Sequence, residues 1–313
     1  MLEKGINFMT KKTILALFFT LLLVGCNSSV VTPSITSTIV SDYSNYELQK
    51  PANDFANTSP LSTTYKDKVV RKFNHTGDVA SKVPVLMYHH LLRRKENIYT
   101  NNGVVLNVEN FEQQMDYLYK NNYTSINAEE LEQWVLGKIE LPKKSVCITF
   151  DDGYLSSAIY AYPILKKYNF KAIQFLITSY VKYKVDEFNP HRQQFLKWNN
   201  IIDTSDVFEY SNHTNNLHKT QNEQGYLISK PLDFVKKDLI KNKKLTGSPY
   251  FCYPYGHYNA DTLKLLRDLK IRMAFTVKNG SVKRGDSLLE LNRYGIYPKT
   301  SIDTFKQMLN CEL

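Results

Sequence analysis

Cysteine, glycine, proline and tryptophan are all scarce in this chain of 313 residues, which has 4, 12, 11 and 2 of them. So few glycines and prolines exclude a collagen-like or low-complexity protein. Apart from Cys26 near the N-terminus, three cysteines remain, and an odd number argues against a disulfide framework. Cys147 lies within an apolar run and Cys252 beside one, so we expect both to be buried free thiols.

The apolar stretch near the N-terminus is short for a membrane span. Residues 14–24 are apolar, follow three lysines and end in small residues, as in a targeting segment. The run Leu23-Val24-Gly25-Cys26 resembles the lipobox of bacterial lipoproteins, which implies cleavage before Cys26 and a lipid on that cysteine. An uncleaved membrane anchor is the alternative, and translation could start at Met1 or Met9.

Acidic residues are fewer than basic residues, and the formal net charge is +10. A basic surface suits anionic lipid headgroups or anionic wall polymers, although a solvated basic surface is the more ordinary interpretation. No basic-aromatic motif is present, so we expect no nucleic-acid partner. Residues 27 to about 80 are rich in Ser, Thr, Asn and Pro and lack apolar clusters. We therefore predict a signal peptide at 1–25, a flexible polar tether at 26–82 and an extracytoplasmic, lipid-anchored, monomeric enzyme domain at 83–313.

Downstream of residue 83, apolar runs alternate with segments of helical spacing, which predicts a mainly parallel sheet. No internal repeat is evident. Predicted strands cover 83–88, 145–150, 171–177, 206–210, 250–253, 272–277 and 293–297. Predicted helices lie near 111–119 and at 127–136, 155–168 with a kink near Pro163, 232–243, 259–269 and 301–309. Periodicity cannot separate a barrel from an open sheet, but the candidate functional residues fall at carboxyl ends of strands, which favours an α/β fold with a barrel.

Two adjacent aspartates follow the apolar run at 145–150, in the sequence I-T-F-D-D-G-Y. Adjacent carboxylates repel each other unless a cation or a proton lies between them. Two imidazoles, His213 and His218, follow about sixty residues later. One Asp and two His form a facial ligand set for a divalent ion and leave other positions open. The other Asp is then free to act on a water molecule. These segments therefore predict a hydrolase.

Three motifs together resemble the NodB-type polysaccharide deacetylases of carbohydrate esterase family 4: T-F-D-D-G-Y, the segment from His213 to His218, and F-C-Y-P-Y-G at 251–256. The opening V-P-V-L-M-Y-H resembles the branch that deacetylates poly-β-1,6-N-acetyl-D-glucosamine. The resemblance implies a distorted (β/α) barrel of the NodB-homology type. It also implies that Asp151 is the catalytic base and that Asp152, His213 and His218 bind the metal ion.

The resemblance also implies the remaining site residues. The backbone N–H of Tyr255 would donate to the oxyanion, and His89 would be the general acid at the end of the first strand. His90 would point to the opposite face if that strand continued. The family's third motif has an arginine where this chain has Cys252. Arg293 could supply the charge instead, although an arginine at the surface is the commoner outcome.

The metal ion is expected to be Zn²⁺, and Fe²⁺, Co²⁺ or Ni²⁺ also suit this ligand set. The expected substrate is the β-1,6-linked N-acetylglucosamine polymer. Peptidoglycan or chitin-type oligosaccharides are alternative substrates, and a glycan-binding protein without activity is a different class. Tyr88, Tyr154 and Tyr255 are candidates for stacking on sugar rings.

Overall fold

A computed structural model describes residues 70–73, 77–183 and 187–310. The predicted signal peptide and most of the predicted tether lie outside the described residues, as does Cys26. Contacts with the domain begin upstream of the predicted start at residue 83, since Arg71 pairs with Glu130 at 2.7 Å and the Ala80 N–H donates to Leu141. Within the described ranges, no helix has both the length and the apolar character needed to span a membrane.

The strands are short and alternate with helices for most of the chain. The strands are β1 (Lys82–Val83), β2 (Val85–Tyr88), β3 (His90–Leu92), β4 (Val105–Asn107), β5 (Thr124–Ser125), β6 (Ser145–Phe150), β7 (Ala172–Leu176), β8 (Phe208–Asn212), β9 (Thr220–Gln221), β10 (Gln224–Gly225), β11 (Tyr250–Cys252), β12 (Met273–Phe275), β13 (Val282–Lys283) and β14 (Tyr294–Gly295). The α-helices are α1 (Val108–Lys120), α2 (Ala128–Val135), α3 (Tyr162–Lys167), α4 (Trp198–Asp203), α5 (Tyr226–Ser229), α6 (Leu232–Thr246), α7 (Ala260–Asp268) and α8 (Ile302–Asn310).

The main sheet has the order β12-β11-β8-β7-β6-β2-β14, with β5 also paired to β6, and every one of these pairs is parallel. One segment connects the two edges of this sheet. Leu291 bridges Phe275 of β12, and a few residues later Tyr294 pairs with Leu86 of β2. The sheet therefore curls into a distorted (β/α) barrel, which confirms the predicted fold class.

Strand β6 shows why this sheet is covered on both faces. All six of its residues are buried, as expected for a parallel strand between two apolar layers. Cys147 faces the barrel interior, whereas its neighbours Val146 and Ile148 pack with α1, α3 and α8. Because strand side chains alternate, Asp151 is directed to the same side as Cys147.

Helix α2 closes the interior at the amino ends of the strands. Its N-terminus has the predicted capping box, in which the Asn127 side chain accepts from the Glu130 N–H and the Glu130 carboxylate accepts from the Asn127 N–H. Leu131 and Trp134 pack into the interior apolar cluster. The opposite end, at the carboxyl ends of the strands, is left for the functional residues.

The predicted kink near Pro163 takes the form of a π-helical turn at Ser157–Ala161, which leads into α3. The short pairs β3–β4 and β9–β10 were not predicted from the sequence. Two-residue and three-residue strands carry too few residues for a periodic signal.

Candidate active site

The turn after β6 separates the two adjacent aspartates. Asp152 and Gly153 have φ values of 70° and 78°. A side chain at Gly153 would lie 2.9 Å from Leu176, so this position requires glycine. The turn directs Asp151 towards the barrel interior and Asp152 towards the loop that follows β8. The neighbouring carboxylates thereby acquire different partners.

Asp152, His213 and His218 come together as the sequence predicts. The Asp152 Oδ1 atom lies 3.4 Å from His213 Nε2 and 3.2 Å from His218 Nε2. His213 Nδ1 lies 2.8 Å from the Cys252 carbonyl oxygen, which can only accept, so Nδ1 carries the proton. When His213 is neutral, its Nε2 atom therefore carries a lone pair, and this lone pair faces the Asp152 Oδ1 atom.

This arrangement favours a positive charge near Asp152. The Asp152 Oδ1 atom is buried and has no hydrogen-bond partner among the described residues. Burial alone would lower the pKa of His213, but Cys252 and the Asp152 carboxylate raise it well above its usual value. Burial and the adjacent His213 lower the pKa of His218 to about 4. One carboxylate and two imidazoles around an unpaired oxygen are the donor set that a divalent cation takes.

A second group of potential ligands, Asp151, His213 and Cys252, fits an ion less well. Both Asp151 oxygens already accept from Arg293 at 2.8 Å. Burial raises the pKa of the Cys252 thiol, so the thiolate that would bind a metal is disfavoured. Of the two groups, Asp152, His213 and His218 are therefore the better candidate ligands for a cation.

The loop that carries the two histidines is anchored from both sides. Thr214 has a φ of 68°, and its hydroxyl accepts from the Leu217 N–H at 3.1 Å. The Asp238 carboxylate of α6 accepts from the N–H groups of Asn215 and Asn216 at 2.7 and 2.8 Å. These bonds hold the loop between β8 and α6.

Arg293 is fully buried, so the expectation of a surface arginine is wrong. It lies in the segment that joins β12 to β2, and its two terminal nitrogens donate to the two oxygens of Asp151. One of these nitrogens also lies 2.9 Å from the Cys252 sulfur. Burial alone would raise the pKa of Asp151, but the Arg293 charge and its hydrogen bonds lower it well below its usual value. Asp151 is therefore held ionised.

His89 lies beside the same carboxylate. Its Nε2 atom is 3.9 Å from Asp151 Oδ2, its side chain is 14% exposed, and its Nδ1 atom is buried without a partner among the described residues. The strand does not continue beyond it: β2 ends at Tyr88, and His90 begins β3 in another sheet. The His90 ring stacks on Tyr154 with centroids 4.6 Å apart, and its Nδ1 lies 2.7 Å from Ser156 Oγ.

The turn at Pro254–Gly256 forms the wall opposite β6. Tyr255 has a φ of 58°, and its N–H donates no hydrogen bond among the described residues. A Cβ at Gly256 would lie 2.3 Å from Val277, which explains the glycine. The Tyr255 ring is 42% exposed and its centroid lies 4.4 Å from that of His218. Both a free amide and an exposed aromatic ring therefore border the candidate metal centre.

Two expectations about single side chains had different outcomes. Tyr88 is fully buried in the core and donates to Gln114 at 2.8 Å, so it cannot stack on a sugar. Cys147 and Cys252 are buried free thiols, as predicted. Asp238 was missed, because an aspartate within an amphipathic helix is ordinarily a solvated residue.

Comparisons with known proteins agree with this geometry. The family model described as polysaccharide deacetylase matches residues 138–274. The poly-beta-1,6-N-acetyl-D-glucosamine N-deacetylase of Staphylococcus aureus is 31% identical over 156 residues, which cover 46% of this chain and 52% of that enzyme. The chain thus spans about half the length of those curated relatives.

Two solved structures are similar over most of their length. The deacetylase PplD of Streptococcus pyogenes in complex with acetate is 28% identical, with a TM-score of 0.61 over 73% of this chain and 98% of that one. IcaB from Ammonifex degensii is 26% identical, with a TM-score of 0.62 over 74% and 97%. The motifs, the barrel and these relatives agree that this chain contains a polysaccharide deacetylase domain of the NodB type, which is a hydrolase domain.

Proposed function

We propose that this protein removes N-acetyl groups from poly-β-1,6-N-acetyl-D-glucosamine by metal-dependent hydrolysis, giving acetate and free amines on the polymer. The observation that carries the proposal is the convergence of Asp152, His213 and His218 beside the buried Asp151–Arg293 pair. The S. aureus relative named for this reaction, and the opening strand β2 with His89 directly after it, support the substrate.

In this proposal Asp152, His213 and His218 hold a divalent ion, with Zn²⁺ expected. The ion supplies Lewis-acid polarisation of the acetamide carbonyl and lowers the pKa of water. Asp151 accepts the proton of the attacking water, because Arg293 keeps this carboxylate ionised at neutral pH. The buried Asp151–Arg293 pair therefore provides a carboxylate base that is ionised before the substrate arrives.

The remaining roles belong to Tyr255 and His89. The free Tyr255 N–H donates to the oxygen on which negative charge develops in the transition state. His89, on the other side of Asp151, donates a proton to the leaving amine. Its partial exposure leaves room for the substrate nitrogen to approach.

Metal analysis and acetate release test these assignments. Asp152→Ala should lose the metal ion, because two imidazoles alone bind it weakly. Asp151→Asn should retain the ion but lose turnover by at least about 10²-fold, because the base is gone. The proposal fails if Asp151→Asn retains wild-type turnover or if Asp152→Ala still binds one equivalent of metal.

The substrate is tested with β-1,6 and β-1,4 N-acetylglucosamine oligomers of equal length. We expect acetate release to be faster from the β-1,6 series. Faster release from the β-1,4 series would favour a peptidoglycan or chitin-type substrate. Tight binding of either polymer by the metal-loaded protein with no acetate released would instead indicate a glycan-binding protein.

The cellular setting is also part of the proposal. A lipid on Cys26 would anchor a monomeric domain outside the cytoplasm, with residues 26–82 as the tether between membrane and barrel. The basic composition and the apolar run at 14–24 support this setting. Mass spectrometry of the mature N-terminus would show whether Cys26 carries acyl chains.

A further inference from the structure

Helix α6 has large apolar side chains on its exposed surface, where contact with water is unfavourable. Leu232, Phe234 and Ile240 are 49%, 54% and 46% exposed. No other α-helix of the described residues has more than one large exposed hydrophobic side chain. By contrast, α7 has large exposed residues that are charged. The outward face of α6 is therefore unusual for this domain.

The same face carries four exposed lysines, Lys236, Lys237, Lys241 and Lys244. None of them forms an ion pair with another described residue. The acidic side chains of the helix offer little compensation, because Asp238 already accepts two backbone N–H groups and only Asp233 is exposed. The face thus combines unpaired positive charge with interleaved apolar groups.

The opposite face fixes how α6 is oriented. Val235, Leu239, Asn242 and Thr246 are buried, and Asn242 donates to Thr178 at 3.0 Å. These contacts, together with those of Asp238, hold the helix against the end of β8. The lysines, Phe234 and Ile240 consequently point away from the barrel, whereas Leu232 lies beside the buried side of the helix.

We propose that the outward face of α6 docks on the surface of an anionic lipid bilayer. Its lysines would contact the headgroups, and Phe234 and Ile240 would enter the boundary with the acyl chains. A soluble polyanion would bind the lysines but could not bury the apolar side chains. The combination of lysines and apolar side chains on this face therefore favours a bilayer. This contact is separate from any lipid on Cys26 and does not depend on the proposed reaction.

Docking through α6 would also place the active site near the bilayer. Asp238 joins α6 directly to the loop that carries His213 and His218. Phe234 lies one turn from Asp238 on the same helix. A polymer chain close to the membrane surface would then meet the enzyme in a fixed orientation.

A tryptophan at position 234 tests the proposal in the full-length chain. The native Trp134 and Trp198 are buried, so subtracting the parent spectrum isolates the new residue. Phe234→Trp should show a blue-shifted emission with vesicles of phosphatidylglycerol and phosphatidylcholine, and no shift with phosphatidylcholine alone. The matched control is Tyr119→Trp on α1, a site that is 57% exposed, where we expect no shift.

Charge removal supplies the second measurement. In the Phe234→Trp background, replacing the four α6 lysines by glutamine should raise the lipid concentration needed for the emission shift by more than about a hundred-fold. Each lysine is expected to contribute about five-fold. The control replaces Lys95, Lys138, Lys283 and Lys299, which are exposed elsewhere, and should leave the shift unchanged.

The following outcomes would overturn the proposal. These are no shift of Phe234→Trp with anionic vesicles, an equal shift in the Tyr119→Trp control, or an equal loss from both sets of lysine substitutions. A shift produced by soluble polyphosphate and not by vesicles would also overturn it. None of these readouts involves acetate release, so they are independent of the deacetylase assay.

Discussion

The carboxylate of Asp151 and the guanidinium of Arg293 form a buried ion pair with two parallel hydrogen bonds. Arg293 also donates to the Thr276 carbonyl oxygen at 2.8 Å, so its charge is well satisfied. Cys252 occupies the position at which the family motif has an arginine, and it contacts both partners. The positive charge is therefore retained beside Asp151 although it comes from a different segment.

Removing one partner of this pair should be costly. Arg293→Met should lower the free energy of unfolding by about 3–5 kcal/mol, because it leaves the Asp151 charge buried and unpaired. The double variant Arg293→Met with Asp151→Asn should regain a large part of that loss, since no charge remains. Urea unfolding of the wild type, both single variants and the double variant measures the coupling. Additive losses would show that the two groups are not energetically paired.

At the scale of elements, three loops meet at the carboxyl ends of the strands. The turn after β6 supplies both aspartates, the loop after β8 supplies both histidines, and the turn after β11 supplies the free amide. The last two are also linked to each other, because the Gly225 N–H of β10 donates to His257 Nδ1 at 2.9 Å. The site geometry therefore depends on contacts between loops as well as on the strands.

Substitution of Asp238 tests whether the contact between α6 and the histidine loop supports the candidate metal ligands. Asp238→Asn keeps the size of the side chain but leaves one acceptor oxygen for two N–H groups, which loosens the histidine loop. Metal affinity should fall by about 10-fold, the lower end for residues that support metal ligands. The control is Asp233→Asn, an exposed aspartate on the same helix, for which no change is expected in a metal titration. Equal effects from both variants would assign the loss to charge alone.

At the scale of the whole molecule, the barrel is packed around apolar side chains. Two large apolar clusters lie on the two sides of the sheet, and α2 closes one end. The segment from Leu291 to Tyr294 joins the sheet edges and brings Arg293 into the interior. We therefore expect a folded protein that the metal ion stabilises further.

Thermal unfolding with and without Zn²⁺ checks this expectation. A free ion concentration of 100 times Kd stabilises the native state by about 2.7 kcal/mol. For a domain of this size, the Tm should rise by about 5–10 °C. Asp152→Ala should show no rise at the same concentration, and a chelator should reverse the rise in the wild type. An equal rise in Asp152→Ala would indicate binding elsewhere.

The strand at 145–150 and the capping box at Asn127 could be predicted because their signals are local. The helix predicted at 232–243 ended too early: α6 continues to Thr246 and is followed by Gly247, whose φ of 70° ends it. The strand predicted at 293–297 shrinks to Tyr294–Gly295, because only these residues pair with β2. Element ends are decided by neighbours that are distant in sequence.

By itself, the sequence determined the order of strands and helices and the residue types at the candidate metal centre. The residue types indicated one aspartate of the pair with His213 and His218, and the family resemblance selected Asp152 as that aspartate. Only the tertiary structure decided that Arg293 is buried against Asp151 and that Asp238 supports the histidine loop. The physical reason is that a charged side chain carries no local signal of its partner, which is brought to it only when the barrel closes.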